Sequence, residues 1–364
     1  MAITFSNGFT ISSPSLYPFS LFTFTTTGIS GSAGPTLVQL RTAYTGSASW
    51  TSNPSYFTTG AFQGYQMWTV PQTATYQVEI AGAASGISSY PVTYSGSKGA
   101  IIRANVSLTQ GQKILMVVGQ RSLNTATSGL SYIGVGGGGG SYFVLSGSNT
   151  PLLIAGGAGG QGAYSGDVMG FPGQLKSGSL DGNGSTSTTG SRSRNFAPGG
   201  TGSLGGRTHI NTGSVVSSNI YDGGGGSGFL GNGFNGDGTV TKPFTNANYG
   251  GGGLSFLSGS TGGNAASSFT PNQATQGGFG GGGGGTPIAG GGGGGYAGGA
   301  GSWGSSQPAS DGGGGGSSYI NSSASSIATS DGNYDGLSSF SGSAITNINS
   351  FNSGSGYIKV TLIG

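Results

Sequence analysis

The sequence predicts a mainly β protein: one sheet domain closed by a C-terminal strand, with a glycine-rich segment inserted between its strands. Three observations carry this. Short runs of β-branched and aromatic residues, bounded by Gly, Pro, Asn and Ser, recur between residues 16 and 155, which is the pattern of strands and turns. Glycine supplies 84 of the 364 residues, far above the usual share of about 7%, and most of it falls in residues 156–316. The strand-like piece "SGYIKVTLIG" lies far along the chain from the other strands, so the glycine-rich part reads as an insertion.

Residues 1–15 alternate loosely (Ile3, Phe5, Phe9, Ile11) and end in "SSPS". They read as an extended N-terminal attachment arm. Strands are then expected around Phe19 to Phe24 and in "GYQMWTVP", "ATYQVEIAGAA", "GAIIRANVSL", "KILMVVG", "SYFVLSG" and "PLLIAGG". In the second of these sequences with clear alternation, Tyr76, Val78 and Ile80 share one face. Helical spacing shows in "PTLVQLRTAYTG", where Leu37, Leu40 and Tyr44 lie about one turn apart. Within residues 156–316 there is no strict period, which excludes a collagen repeat and other regular solenoids.

The six-glycine runs 280–285 and 290–295 have two readings. Gly/Ser tracts form flexible linkers. These runs, however, are pure glycine and stop at aromatics (Phe279, Tyr296), whereas disordered tracts are poor in aromatics and rich in charge. The ordered reading is the extended left-handed helix with three residues per turn and no internal hydrogen bonds, in which six residues span roughly 19 Å. Packed side by side, such helices satisfy one another's amides, and a Cβ would hold the backbones apart.

Charged residues make up 5% of the chain and the net charge is +3. That field is too weak to argue for a nucleic-acid or anionic-membrane partner. There is no cysteine, hence no disulfide and no thiolate metal site. No signal peptide is evident, and no apolar run approaches the roughly 20 residues of a membrane helix. The expectation is synthesis in a cytosol, no membrane insertion, and release by a route other than secretion.

Catalytic constellations are thin. His209 is the one histidine, so a Ser–His–Asp arrangement would have to use it, and an exposed loop histidine is the simpler reading. The acids Glu79, Asp167, Asp181, Asp222, Asp237, Asp311, Asp331 and Asp335 are dispersed, mostly in Asp-Gly turns. In "DGNYDG", Asp331, Asn333 and Asp335 have the spacing of calcium ligands. The twelfth position is Gly342 rather than glutamate, so the bidentate ligand is missing and a turn is expected, with no metal and no cofactor. "SRSRNF" reads as a solvated loop. The chain is therefore not expected to be an enzyme. Binding is the stronger reading. Large residues stand isolated between glycine runs. Most should pack on the sheet domain or cap the bundle. Phe229, Phe234, Tyr249, Phe256 and Trp303 are the candidates for receptor contact at loop tips, since rings are large, rigid and amphipathic.

The segments "FTFTTTGISGSAGPTLVQLRTAYTG", "QGYQMWTVPQTATYQVEIAGAASG" and "GAIIRANVSLTQGQKILMVVGQ", followed by "GGGGGSYFV", "PLLIAGGAGG" and "GYIKVTLI", resemble the glycine-rich domain of the anaplastic lymphoma kinase and leukocyte tyrosine kinase receptors. The resemblance implies a TNF-like, jelly-roll β-sandwich with an inserted bundle of polyglycine II helices. It places the sandwich at 16–155, closed by 317–364, and the insert at 156–316. The receptors' cysteines, membrane span and kinase domain have no counterpart in this sequence. Cysteine-free domains of this kind, with starts like "MAITFSNGFT", are similar to virion proteins of tailed bacteriophages. The alternation of glycine runs with loops is similar to adhesins at tail-fibre tips. What this implies is a virion protein made in a host cytoplasm and released by lysis. It would attach to other virion proteins through the arm and recognise a host surface glycan or protein, and a homotrimer would suit a fibre. The alternative is a capsid or fibre decoration protein with a purely structural role.

Overall fold

The computed structural model describes residues 14–87, 96–123, 134–162, 199–200, 202–208, 221–246, 248–267, 275–304, 312–330 and 346–364, and the backbone of 3–4 and 10–11. Strands β1 (Ile3–Thr4) and β2 (Thr10–Ile11) form a small antiparallel pair near the N-terminus. The remaining strands are β3 (Leu21–Phe24), β4 (Phe57–Thr59), β5 (Gln66–Thr69), β6 (Ala74–Ala81), β7 (Ile101–Leu108), β8 (Lys113–Val117), β9 (Ser141–Leu145), β10 (Thr150–Ala155), β11 (Tyr319–Ile320), β12 (Ser325–Thr329), β13 (Thr346–Asn347) and β14 (Tyr357–Leu362). They form two six-stranded sheets, ordered β11-β10-β9-β8-β5-β4 and β13-β12-β7-β6-β14-β3. All pairings are antiparallel except β12 with β13. One α-helix, α1 (Leu37–Tyr44), is present among the described residues. Its start is fixed by a capping box between Thr36 and Gln39, and it buries Leu40 and Tyr44.

The two sheets face each other across one core, the arrangement of a β-sandwich. Trp68, Ile114, Met116, Phe143 and Leu153 from one sheet meet Phe24, Tyr76, Val78, Ile80, Ile102, Ile358 and Val360 from the other. The β6 sheet alternates because its second face is wet. There Glu79 pairs with Arg103 and accepts from the Tyr357 hydroxyl at 2.8 Å. The β8–β9–β10 sheet does not alternate. Val117, Tyr142, Val144 and Ile154 point away from the sandwich core yet are also buried, in a second cluster with Tyr65, Phe229, Phe256 and Phe279.

Registers put Phe24, Gln66, Ala81, Ile101, Val117, Ser141, Ala155, Tyr319 and Tyr357 at one end of the sandwich. The glycine segments leave and re-enter there. The other end holds Leu21, Thr69 and Leu108, and it is where the chain enters, through a bond from the Leu16 N–H to the Pro71 carbonyl.

The glycine segments are an ordered lattice. Around the run 290–295, donors point in three directions with a period of three. Gly291 and Gly294 donate to Val135 and Gly138, Gly292 and Gly295 to Gly224 and Ser227, and Gly293 and Tyr296 to Gly314 and Ser317, all at 2.8–3.1 Å. Carbonyls of the same run accept from three further segments: from Gly157 and Gly160, from Gly283, and from Gly299 and Ser302. Six neighbours thus surround one extended strand of backbone. The run 223–228 repeats the scheme, donating in the same period to 299–302, 281–284 and 231–234. A three-residue repeat of bonds in three directions is what a helix of three residues per turn without internal hydrogen bonds provides.

The lattice explains why the runs are glycine. A Cβ on Gly291, Gly292 or Gly293 would lie 2.0–2.2 Å from a carbonyl oxygen of a neighbouring run. Where alanine does occur, at Ala158, Ala289, Ala297 and Ala300, it is buried at positions that admit a methyl group. The reversal after Phe279 uses Gly280 and Gly281 at φ +100° and +83°, a region that favours glycine.

Gly292→Ala is expected to lower stability by about 2 kcal/mol or more, the scale of an overpacked interior. Gly46→Ala, which meets nothing within 4 Å, should stay within about 0.5 kcal/mol of the parent. Urea unfolding of both variants measures the difference.

Candidate functional site

The bundle and the sandwich meet in an aromatic seam. Phe229 and Phe256 stack with centroids 5.1 Å apart and planes at 21°, and Phe256 also packs on Tyr65 and Tyr142, each at 5.2 Å. The Tyr142 hydroxyl donates to the Gly295 carbonyl at 3.1 Å, and the Tyr65 hydroxyl to the Phe256 carbonyl. Burial pushes both phenols well above their ordinary range. Polyglycine has no apolar side of its own, so the rings that interrupt it supply the apolar contact with the sandwich.

This placement divides the five aromatic candidates. Phe229, Phe256 and Trp303 are buried, which takes them out of the set of rings that a partner could touch directly. Phe234 and Tyr249 are half-buried. Asp331, Asn333 and Asp335, the calcium candidates, lie outside the described residues, as does His209. No cluster of metal-ligating side chains occurs among the described residues.

Phe234 belongs to a face that sequence reasoning missed. The segment 203–207 runs beside 230–234, joined by bonds from Leu230 N–H to Ser203 and from Phe234 N–H to Gly206. The Arg207 guanidinium lies over the Phe234 ring at 5.8 Å. Leu204, Leu230 and Val240 are 53%, 52% and 49% exposed. Leu204 and Val240 are single large apolar residues among Gly, Ser or Thr ("SLGG", "GTVT"), and Leu230 directly follows Phe229 ("FLGN"), so the signal that marks the exposed residues is carried by buried Phe229 as well.

The loop that follows is held by side chains. Asn235 donates from Nδ2 to Thr239 Oγ1 (2.9 Å) and the Thr241 carbonyl (3.0 Å), and its Oδ1 accepts from Lys242 Nζ (2.6 Å) and Gly252 N–H (3.1 Å). Asp237 caps the turn by accepting from Thr239. Burial lowers the Lys242 ammonium to about 8, against the attraction of Asp237. The result is a braced loop that exposes Val240, with Leu204 and Leu230 exposed further along the segments 203–207 and 230–234.

Beneath the loop, Asp222 is fully buried where the run 223–228 begins. Its Oδ1 accepts from the Gly304 N–H at 3.1 Å, and its Oδ2 has no hydrogen-bond partner among the described residues. Its backbone carbonyl accepts from Gly250, which ties it to Tyr249.

No protein-family model matches the chain. The leukocyte tyrosine kinase receptor of Mus musculus is 33% identical over 106 residues, covering 29% of this chain and 12% of that receptor. The likeness is to a small part of the receptor.

Asp222 gives this region a pH dependence. Burial lifts its carboxyl to about 8, the Gly304 N–H opposing, whereas an unfolded aspartate titrates near 3.9. Across roughly pH 4 to 8 the folded chain holds a proton that the unfolded chain has released, so this group's stabilising contribution is complete at low pH, falls as pH rises and levels out above pH 8. Asp222→Asn should remove that term. The stability difference between variant and parent should grow in the variant's favour across this window, as read by urea unfolding at a series of pH values.

Proposed function

We propose that the chain is a non-enzymatic particle protein of a bacteriophage that recognises a glycan or protein on the host surface. In this reading residues 1–15 attach it to other virion proteins, the sandwich is the mount, and the loop face around Leu204, Leu230, Phe234 and Val240 makes the contact. The single observation that supports it most is the polarity of the fold. The chain enters the sandwich at one end, and the glycine segments that build the bundle leave from the other. An arm at one end and a contact surface at the other is the layout that a tip protein needs. The lattice adds to this, because loops on a rigid base lose less conformational entropy on binding.

Bearing Leu204→Ser, Leu230→Ser and Val240→Ser together, the chain should fold normally and lose at least tenfold in binding to host cells. Binding unchanged by the triple variant would remove the loop face from the reading. Imaging of particles should place the protein at a fibre or tail tip. A distribution across the capsid lattice would favour the decoration role instead.

A further inference from the structure

At the end of the sandwich where the chain enters, a cleft of about 890 Å³ opens beside β3 and the 3-10 turn Ser49–Ser52. That size lies within the roughly 300–1,000 Å³ range of ligand sites. One wall is aromatic. Tyr17 sits between Trp50, stacked at 5.0 Å with planes 21° apart, and Tyr56 at 4.6 Å. Tyr17 is buried and its hydroxyl donates to the Thr69 carbonyl, which fixes the stack in place. Trp50 and Tyr56 are half-buried and line the cleft.

The rest of the lining joins Pro18, Phe19, Leu21 and Ala48 to neutral polar residues, five serines with Asn53 and Gln72. The Ser20 and Ser49 hydroxyls and the Gln72 amide make no side-chain hydrogen bond among the described residues, and the Asn53 amide uses only its oxygen, on the Ser55 N–H at 2.9 Å. No charged residue lines the cleft among the described residues. An anionic ligand would find no counter-charge there. A purely apolar one would strand the hydroxyls and amides away from water, which is costly. A sugar ring matches both parts, since its C–H face lies against an aromatic ring while its hydroxyls donate to and accept from Ser, Asn and Gln.

We propose that this cleft binds a neutral oligosaccharide. None of the residues lining the cleft belongs to the loop face, so either assignment can fail without the other. The test is titration of the full-length chain with neutral oligosaccharides of glucose, mannose, galactose and N-acetylglucosamine up to about 10 mM, a range that captures millimolar binding. Binding is followed by tryptophan fluorescence and by calorimetry. Saturable binding of at least one sugar is expected, weakened tenfold or more by Tyr56→Ala and by the pair Asn53→Ala with Gln72→Ala. Trp50→Phe should remove the fluorescence response while calorimetry still detects the sugar. Absence of saturation with all four sugars would overturn the proposal, and so would binding that the cleft variants leave unchanged. A peptide of residues 1–13 that binds where no sugar does would make the cleft a seat for the chain's own N-terminal segment, and would also overturn it.

Discussion

Everything distinctive in this fold depends on one interaction, the hydrogen bond between a glycine amide and a carbonyl of a neighbouring glycine run. In a sheet a strand bonds to two neighbours. Here the run 290–295 bonds to six, because a three-residue turn aims successive amides in three directions. Close approach from every side, as around Gly291, Gly292 and Gly293, leaves no room for a Cβ, so the sequence requirement and the bonding geometry are one constraint there. The energetics are narrow. Ordering a backbone costs about 1–2 kcal/mol per residue, more for glycine, and a hydrogen bond returns about 1 kcal/mol net. A free-standing lattice would be close to break-even, and two features of the chain tip the balance. The runs are tethered, 134–140 leading into β9, 156–161 leaving β10 and 312–318 leading into β11, so the sandwich has already fixed one end of each. The aromatic seam then adds apolar burial that glycine cannot supply.

The seam also accounts for the two different sheets. Strands β6 and β14 alternate because one face meets the core and the other meets water. Strands β8, β9 and β10 read as continuous apolar runs ("ILMVV", "YFVL", "LLIA") because both faces are covered, one by the partner sheet and one by Tyr65, Phe229, Phe256 and Phe279. A continuous run is the mark of a strand buried on both sides. It points to a third layer over a sandwich whose own two layers would not need it.

Much of this was legible from residues alone. The long strands showed in their β-branched runs, α1 in the spacing of Leu37, Leu40 and Tyr44, and the order of the glycine runs in their purity and aromatic ends. What was not legible is set by contacts distant along the chain. Strands β4, β11, β12 and β13 are short or Ser-rich, and they exist because a neighbouring strand offers an edge. Phe229 and Phe234 look alike in sequence, each a ring among glycines. One is buried because Phe256 and Tyr142 come to meet it, and the other stays half-open beside Arg207. Asp222 has the Asp-Gly look of an exposed turn, and its burial follows from Gly304, 82 residues away.

A lattice built from backbone has a consequence for what surrounds it. In an ordinary core each side chain is matched to its neighbours, so a change at the surface of the core is felt inside. In the bundle most bonds run between backbones, and only a few side chains such as Thr275, Ser302 and Asp222 are bonded into it. The loop that Asn235 and Lys242 brace is joined to the bundle through those two side chains, Asn235 accepting from the Gly252 N–H and Lys242 donating to the Gly252 carbonyl, whereas Val240 between them is exposed. Sequence change is therefore confined in its effect. At Gly291, Gly292 or Gly293 a single methyl group collides with a carbonyl, while loop positions such as Val240 are open to solvent. A scaffold with that division can hold its shape while exposed loop positions change, and that follows from building the bundle on backbone hydrogen bonds.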